Sequence, residues 1–256
     1  MSAYSGPETA WNEIPMGDGP DGPVIWDVSK APNLLISGVT GSGKSVAQRT
    51  IILHCRQNPM WRVYEFDLKH VEYADDAPKV SHDFRDGVEL VSFCREEMMQ
   101  RYAQMESHGV NHFLSLPNPP KALMLVIDEA YMLMADEGVL TDEGRALDEL
   151  HRKATGLICE ITRLGRSAGI HVALSSQRPD VDVMKNENLP ARYAVGRMSA
   201  KASQLVLGTD SATLIPERSN GQAILSVYGE EQPLQGYFAD WSWLDQVTWQ
   251  GKHSVH

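Results

Sequence analysis

The sequence predicts an α/β fold: a mostly parallel central sheet flanked by helices, with antiparallel strands at its C-terminal edge. Three observations lead there. Short runs that are apolar on both faces alternate with stretches of helical spacing, as buried parallel strands joined by helices require. A glycine-rich loop stands between one such run and one such helix. Two further apolar runs, "QAILSVY" and "PLQGYF", lie close together in the last third, as an antiparallel pair does. The 256 residues, 42% of them hydrophobic, suffice for one large core. They divide into an irregular lead-in over residues 1–22, one domain over 23–240 and a tail over 241–256 that carries Trp241, Trp243 and Trp249.

The lead-in ends in "PMGDGPDGP", whose Gly, Pro and Asp content reads as loop. "VIWDV" and "NLLISG" are strand-sized runs, and "SVAQRTIILHCRQ" after the second has helical spacing. "WRVYEFD" is the next strand, succeeded by an amphipathic helix over 86–107, where Val88, Val91, Phe93, Met98, Tyr102 and Met105 recur at broadly three-to-four spacing. "KALMLVIDEA" is a strand closing on two acids. A helix over about 141–166 leads into "IHVALSSQ", and "ARYAVGR" is a further strand.

Several function classes drop out early. A formal charge of −11 argues against a surface that coats nucleic acid everywhere, which leaves a local basic lining as the way to hold it. Cys55, Cys94 and Cys159 are far apart, with neither disulfide-framework nor zinc spacing, and read as reduced core thiols. The longest apolar run, "ALMLVI", is far short of the roughly 20 residues of a membrane span, and the N-terminus lacks a secretory pattern. A soluble, cytoplasmic protein is expected.

The chemistry starts at "GVTGSGKS", residues 38–45, which fits the phosphate-loop pattern between a strand and a helix. Gly38, Val39, Thr40, Gly41, Ser42, Gly43, Lys44, Ser45 and Val46 are the expected nucleotide-binding residues. Their backbone N–H groups and the helix N-terminus face phosphate oxygens. Lys44 is expected on the β- and γ-phosphates of ATP and Ser45 on Mg²⁺. An acid at the end of a neighbouring strand is needed to hold the magnesium shell, and Asp128 supplies it; Glu129 then orients and deprotonates the attacking water. The bland alternative is that both acids cap the next helix.

Several stretches in order, "NLLISGVTGSGKSV", "YEFDLK", "REEMMQRYAQMESHGVNHF", "LVIDEAYMLM", "RLGRSAGIHVALSSQRPDVDVM" and "NLPARYAVGRMSAKASQLVLG", resemble the motor domain of the FtsK/SpoIIIE family of DNA translocases. The resemblance spans roughly residues 24–238. It implies a RecA-like ATPase that assembles as a hexameric ring around double-stranded DNA and pumps it through a central channel. It makes Gln177, at a strand's carboxyl end, a γ-phosphate sensor; the alternative is a glutamine that satisfies backbone groups at a corner.

Under that resemblance, Arg166 or Arg197 reaches a neighbour's nucleotide as a finger in trans. Arg163 and Arg166 also suit the negative end of a helix dipole, and the two readings stay open. The loops matching the family's DNA contacts bring Lys69, Lys79, Lys185 and Arg192, set among Glu72, Asp75, Asp76 and Glu187. The family's membrane region, extra domain and DNA-reading module have no place in this length, so a nearly bare motor working with targeting or membrane partner proteins is expected. A protein substrate, as in secretion motors, and an assembly module without turnover are the rival readings.

Overall fold

A computed structural model describes residues 9–67, 80–81, 84–134, 142–177, 188–217 and 219–239. The tail from residue 240 and its tryptophans lie outside the described residues. The strands are β1 (Glu13–Gly19), β2 (Gly22–Asp27), β3 (Asn33–Ser37), β4 (Trp61–Phe66) and β5 (Val80–Ser81). β6 (Ala122–Ile127), β7 (Ile170–Ser176), β8 (Ala191–Val195), β9 (Gln222–Val227) and β10 (Glu230–Gly236) complete them. The helices are α1 (Lys44–Gln57), α2 (Phe84–His108), α3 (Ala130–Met134), α4 (Asp142–Ala168) and α5 (Ala200–Leu207).

All ten strands join one sheet in the order β2-β1-β10-β9-β8-β3-β7-β6-β4-β5. From β8 to β5 every pairing is parallel, and from β8 to β2 every pairing is antiparallel. The parallel strands β3, β6 and β7 are buried at every position, which is why their sequences are near-continuous apolar runs.

Successive side chains of a strand leave opposite faces. Leu34, Ile36, Met124 and Val126 pack with Ile51, Ile52 and Cys55 of α1 on one face. Leu35, Leu123, Leu125, Val172 and Leu174 pack with Val91 and Met98 of α2 and Ile158 and Ile161 of α4 on the other. α5 closes a smaller cluster of Val206, Leu207, Ala194 and Ile224. Cys55 and Cys94 are buried and Cys159 half-buried, with no disulfide among the described residues. No helix among them is long and apolar enough to cross a membrane.

The stretch expected as irregular up to residue 22 carries a strand instead. β1 pairs with β2 through a hairpin whose two-residue loop is closed by the pairing of Gly19 with Gly22. Its Gly, Pro and Asp content concealed Ile14 and Met16, both buried in the α1-side core. The C-terminal pair β9–β10 is antiparallel as expected, and this hairpin extends the sheet beyond it by pairing β1 with β10.

Two buried groups tie the layers together at the amino-terminal end of the sheet. Arg101 of α2, 3% exposed, donates to the carbonyls of Ala168, Gly169 and Lys121, so it caps α4 and the entry to β6 together. His171 of β7 shares a hydrogen bond with the Pro32 carbonyl at 3.0 Å and sits edge-on to Trp61 at 5.4 Å. Burial pushes its pKa down to about 4, and the nearby Arg101, His112 and Arg166 add to that push. A histidine lowered in the folded state lends stability that is complete above its unfolded value of about 6.5 and is lost as pH falls toward 4. His54 is lowered to about 4 by burial and acts in the same sense.

Glu65, fully buried against Arg56 at 2.6 Å, runs the other way. Burial raises it to about 7, so its contribution is lost as pH rises through 7. Urea unfolding at pH 7 and pH 4.5 should therefore show His171→Asn losing less stability on acidification than wild type, by roughly 2 kcal/mol. Identical losses in the two proteins would show that His171 does not titrate across this range.

Candidate active site

The carboxyl end of β3 opens into the phosphate loop, and α1 starts at Lys44. Gly43, at the N-cap of α1, has φ 114°, a conformation that L side chains rarely adopt. At Gly38 the constraint is space: a Cβ would stand 2.4 Å from the Val195 carbonyl oxygen of the adjacent β8. The first turn of α1 carries no acid, so the positive end of its dipole faces the loop unopposed by its own side chains. Lys44, 7% exposed, folds back over the loop and donates from Nζ to the carbonyls of Gly38 at 2.7 Å and Val39 at 3.2 Å. Ser45 and Val46 come next and are half-buried, Gly41 and Thr40 form the exposed lip, and the Ser42 hydroxyl is buried without a hydrogen-bond partner among the described residues.

The acids arrive from β6. Its parallel register with β7 aligns Ile127 with Leu174, which carries Asp128 and Glu129 alongside Ser175 and Ser176. The Ser175 hydroxyl donates to Asp128 Oδ1 at 2.6 Å and accepts from the Glu129 N–H at 3.2 Å. Glu129 Oε1 accepts from the Gln177 N–H at 3.2 Å and from the Ser176 hydroxyl at 3.4 Å. Glu129 has φ 47°, the left-handed region, which is unfavourable by about 1–2 kcal/mol for a residue with a Cβ.

The pair does directly precede α3, as the capping alternative requires. That helix is only five residues long, however, and both carboxylates are engaged by the tip of β7. Asp67, at the end of β4, and Gln48 of α1, which donates to the Ile127 carbonyl at 3.3 Å, are buried close by. The exposed Gln177 side chain spans the remaining gap, its Oε1 accepting from the Thr40 hydroxyl at 2.7 Å. Loop, acids and glutamine thus form one connected group at the carboxyl edge of the sheet.

The arginines separate by position. Arg197 lies just past β8 at this same edge and shares a cleft of about 680 Å³ with Val39, Thr40, Gly41 and Ser42 of its own chain. It pairs with Glu217 at 3.2 Å, and both side chains are half-exposed or more, so the pair contributes at most about 1 kcal/mol. Arg166 lies in the last turn of α4, just before β7 begins. The seven residues of β7 put roughly 20 Å between it and Gln177. Arg166 and Lys30 line a second cleft at that far end, together with His112, whose pKa is lowered by burial and then by Arg166. Arg163 is exposed on α4.

Arg192, expected toward DNA, instead donates to the Leu205 and Val206 carbonyls and caps α5. Lys69, Lys79 and Lys185 lie outside the described residues. Sequence reasoning missed Ser175, Ser176, Gln48 and Asp67. The available signal was a pair of serines closing the apolar run "VAL" of a buried strand, which has no packing reason.

Residues 7–135 match the model of the FtsK/SpoIIIE family. The chain is 31% identical over 245 residues to the DNA translocase FtsK of Lactococcus lactis subsp. cremoris; the match takes in 88% of this chain and 32% of that protein, so the chain spans about a third of the relative's length. Among solved structures it is similar to the pCW3 conjugation coupling protein TcpA with ATPγS, with TM-score 0.85, 26% identity, and coverage of 96% of this chain and 72% of that one. The fold also recurs in the cytoplasmic domain of the Type VII secretion ATPase EccC of Thermomonospora curvata, with TM-score 0.66 and 23% identity over 92% of this chain and 30% of that one. A phosphate loop, a strand-end diacid and a glutamine joined at one edge of a parallel sheet are the site this matching sequence builds, and the chain belongs to the FtsK/SpoIIIE family.

Proposed function

We propose that the chain is the motor of an ATP-driven double-stranded DNA translocase that works as a ring of identical subunits. One observation carries the reading: the phosphate loop, Asp128, Glu129 and Gln177 are hydrogen-bonded to one another through Thr40 and the tip of β7. ATP fits the loop, whose close approach to β8 at Gly38 leaves no room for a side chain and whose Lys44 ammonium already lies across it. Mg²⁺ fits the hard oxygen donors Ser45 and Asp128 and, when bound, neutralises charge developing on the phosphates.

The chain's own residues do the rest. Lys44 exchanges the Gly38 and Val39 carbonyls for phosphate oxygens. Glu129 orients the attacking water and takes its proton. Gln177 leaves Thr40 for the γ-phosphate, so the end of β7 reports whether that phosphate is present. Arg166, at the opposite end of the sheet from its own loop, is the candidate for entering a neighbour's site; Arg197, beside its own loop, acts in cis. Likeness to FtsK and to a conjugation coupling protein supports DNA as substrate, whereas the likeness to a secretion ATPase bears on fold alone. A hexamer, cytoplasmic placement and DNA contacts through Lys69, Lys79 and Lys185 belong to the same proposal.

Measuring ATPase rate with and without duplex DNA at several protein concentrations tests it. Stimulation by DNA that weakens with salt and grows with protein concentration is expected; a rate indifferent to DNA at every salt would count for a protein substrate. Lys44→Ala should abolish nucleotide binding. Glu129→Gln should keep it and lower turnover by at least about a hundredfold, and normal turnover would remove Glu129 from the mechanism. For the arginines, Arg166→Ala protein mixed into wild type should depress the rate beyond simple dilution, and Arg197→Ala should not. The reverse pattern would exchange their roles.

A further inference from the structure

We propose that Ser175 is a positioning residue for the diacid. Its hydroxyl sets the Asp128 carboxylate for the metal shell and holds Glu129 in the backbone conformation from which it reaches water. The inference rests on the proposed roles of Asp128 and Glu129 in ATP hydrolysis.

A serine hydroxyl has one hydrogen to donate and lone pairs to accept. At Ser175 both capacities are used on neighbouring residues of the diacid: the hydrogen goes to Asp128 Oδ1 at 2.6 Å, and the oxygen takes the Glu129 N–H at 3.2 Å. The first distance lies in the range for a hydroxyl donating to a carboxylate. Because the two bonds use different parts of the hydroxyl, each fixes the rotation that the other needs. The side chain is fully buried, so water does not compete for either bond.

The second bond matters because of where it lands. Glu129 is one of two residues other than glycine with positive φ among the described residues, so its backbone holds this conformation only against restraint. Ser175 secures the N–H at that bend, while the Gln177 N–H and the Ser176 hydroxyl secure the carboxylate beyond it. All three come from the end of β7 or the residue directly after it, the proposed γ-phosphate sensor. A bulky apolar residue would fill the space at 175 and leave the Glu129 N–H and one Asp128 oxygen without these partners. Residues that orient a metal ligand typically change metal affinity or activity by about 10–100-fold when removed.

The test uses the full chain. Manganese binding in the presence of ATPγS is monitored by electron paramagnetic resonance, and ATPase rate is measured against Mg²⁺ concentration. Ser175→Ala should weaken Mn²⁺ binding and raise the half-saturating Mg²⁺ concentration by about tenfold, with a lower kcat. Binding of a fluorescent ATP analogue in EDTA should stay as in wild type. Ser175→Thr, which keeps the hydroxyl, should restore the Mn²⁺ affinity.

Wild-type Mn²⁺ affinity in Ser175→Ala would overturn the proposal, and so would a loss that a well-folded Ser175→Thr fails to restore. Should Ser175→Ala not fold, Ser175→Cys carries the same test, since a thiol fills the place with a much weaker donor. Asp128→Asn separates the two levels of the argument. If it leaves Mn²⁺ affinity intact, the reading of the diacid fails and the proposal with it. If it lowers the affinity and Ser175→Ala does not, only the role of Ser175 is lost.

Discussion

Parallel pairing obliges strands to end on the same edge of a sheet, and in this protein that requirement assembles the site. β8, β3, β7, β6 and β4 run side by side in one direction, so the loops that leave their carboxyl ends emerge as neighbours although they lie far apart in the chain. Their interiors bury apolar side chains against helices on both faces, which leaves the strand ends as the place where polar groups collect. The phosphate loop after β3, the acids after β6, the glutamine after β7 and Arg197 after β8 are four consequences of one alignment.

The same alignment explains how two acids can sit at 4% and 8% exposure without destabilising the edge. Burying a carboxylate is unfavourable unless donors accompany it. The donors come from the end of β7, whose last two residues lie beside the acids and supply two hydroxyls, and from the backbone N–H of Gln177 directly after it. This also answers why an otherwise apolar strand closes on Ser-Ser-Gln: each of the three residues bonds to the diacid. The strained bend at Glu129 is held by that same strand, so anything that moves the end of β7 moves the acid as well.

Length is the second constraint. A strand of seven residues keeps the groups at its two ends roughly 20 Å apart, so Arg166, ahead of β7, is held away from Gln177 and the phosphate loop of its own chain. Arg197 has no such separation from its own loop. Two arginines that read alike in one dimension thus stand at opposite edges of one sheet.

The phosphate loop, the apolar runs and the acids closing "ALMLVI" were legible because each rests on local chemistry. Backbone N–H groups needed glycine, strands buried on both faces needed unbroken apolar residues, and both requirements leave contiguous marks. The strand β1 was not legible, because its composition speaks for a loop and only its pairing with β2 and β10 makes a strand of it. Arg192 read as a DNA contact, whereas in the fold it is bonded to the last carbonyls of α5. Ser175 was invisible because its partners, Asp128 and Glu129, lie more than forty positions away. Chemistry carried by neighbours in the chain is written in the sequence, whereas chemistry carried by neighbours across strands exists only once the register is set. Which strands lie side by side, and in which direction, is decided by burying the whole sheet at once.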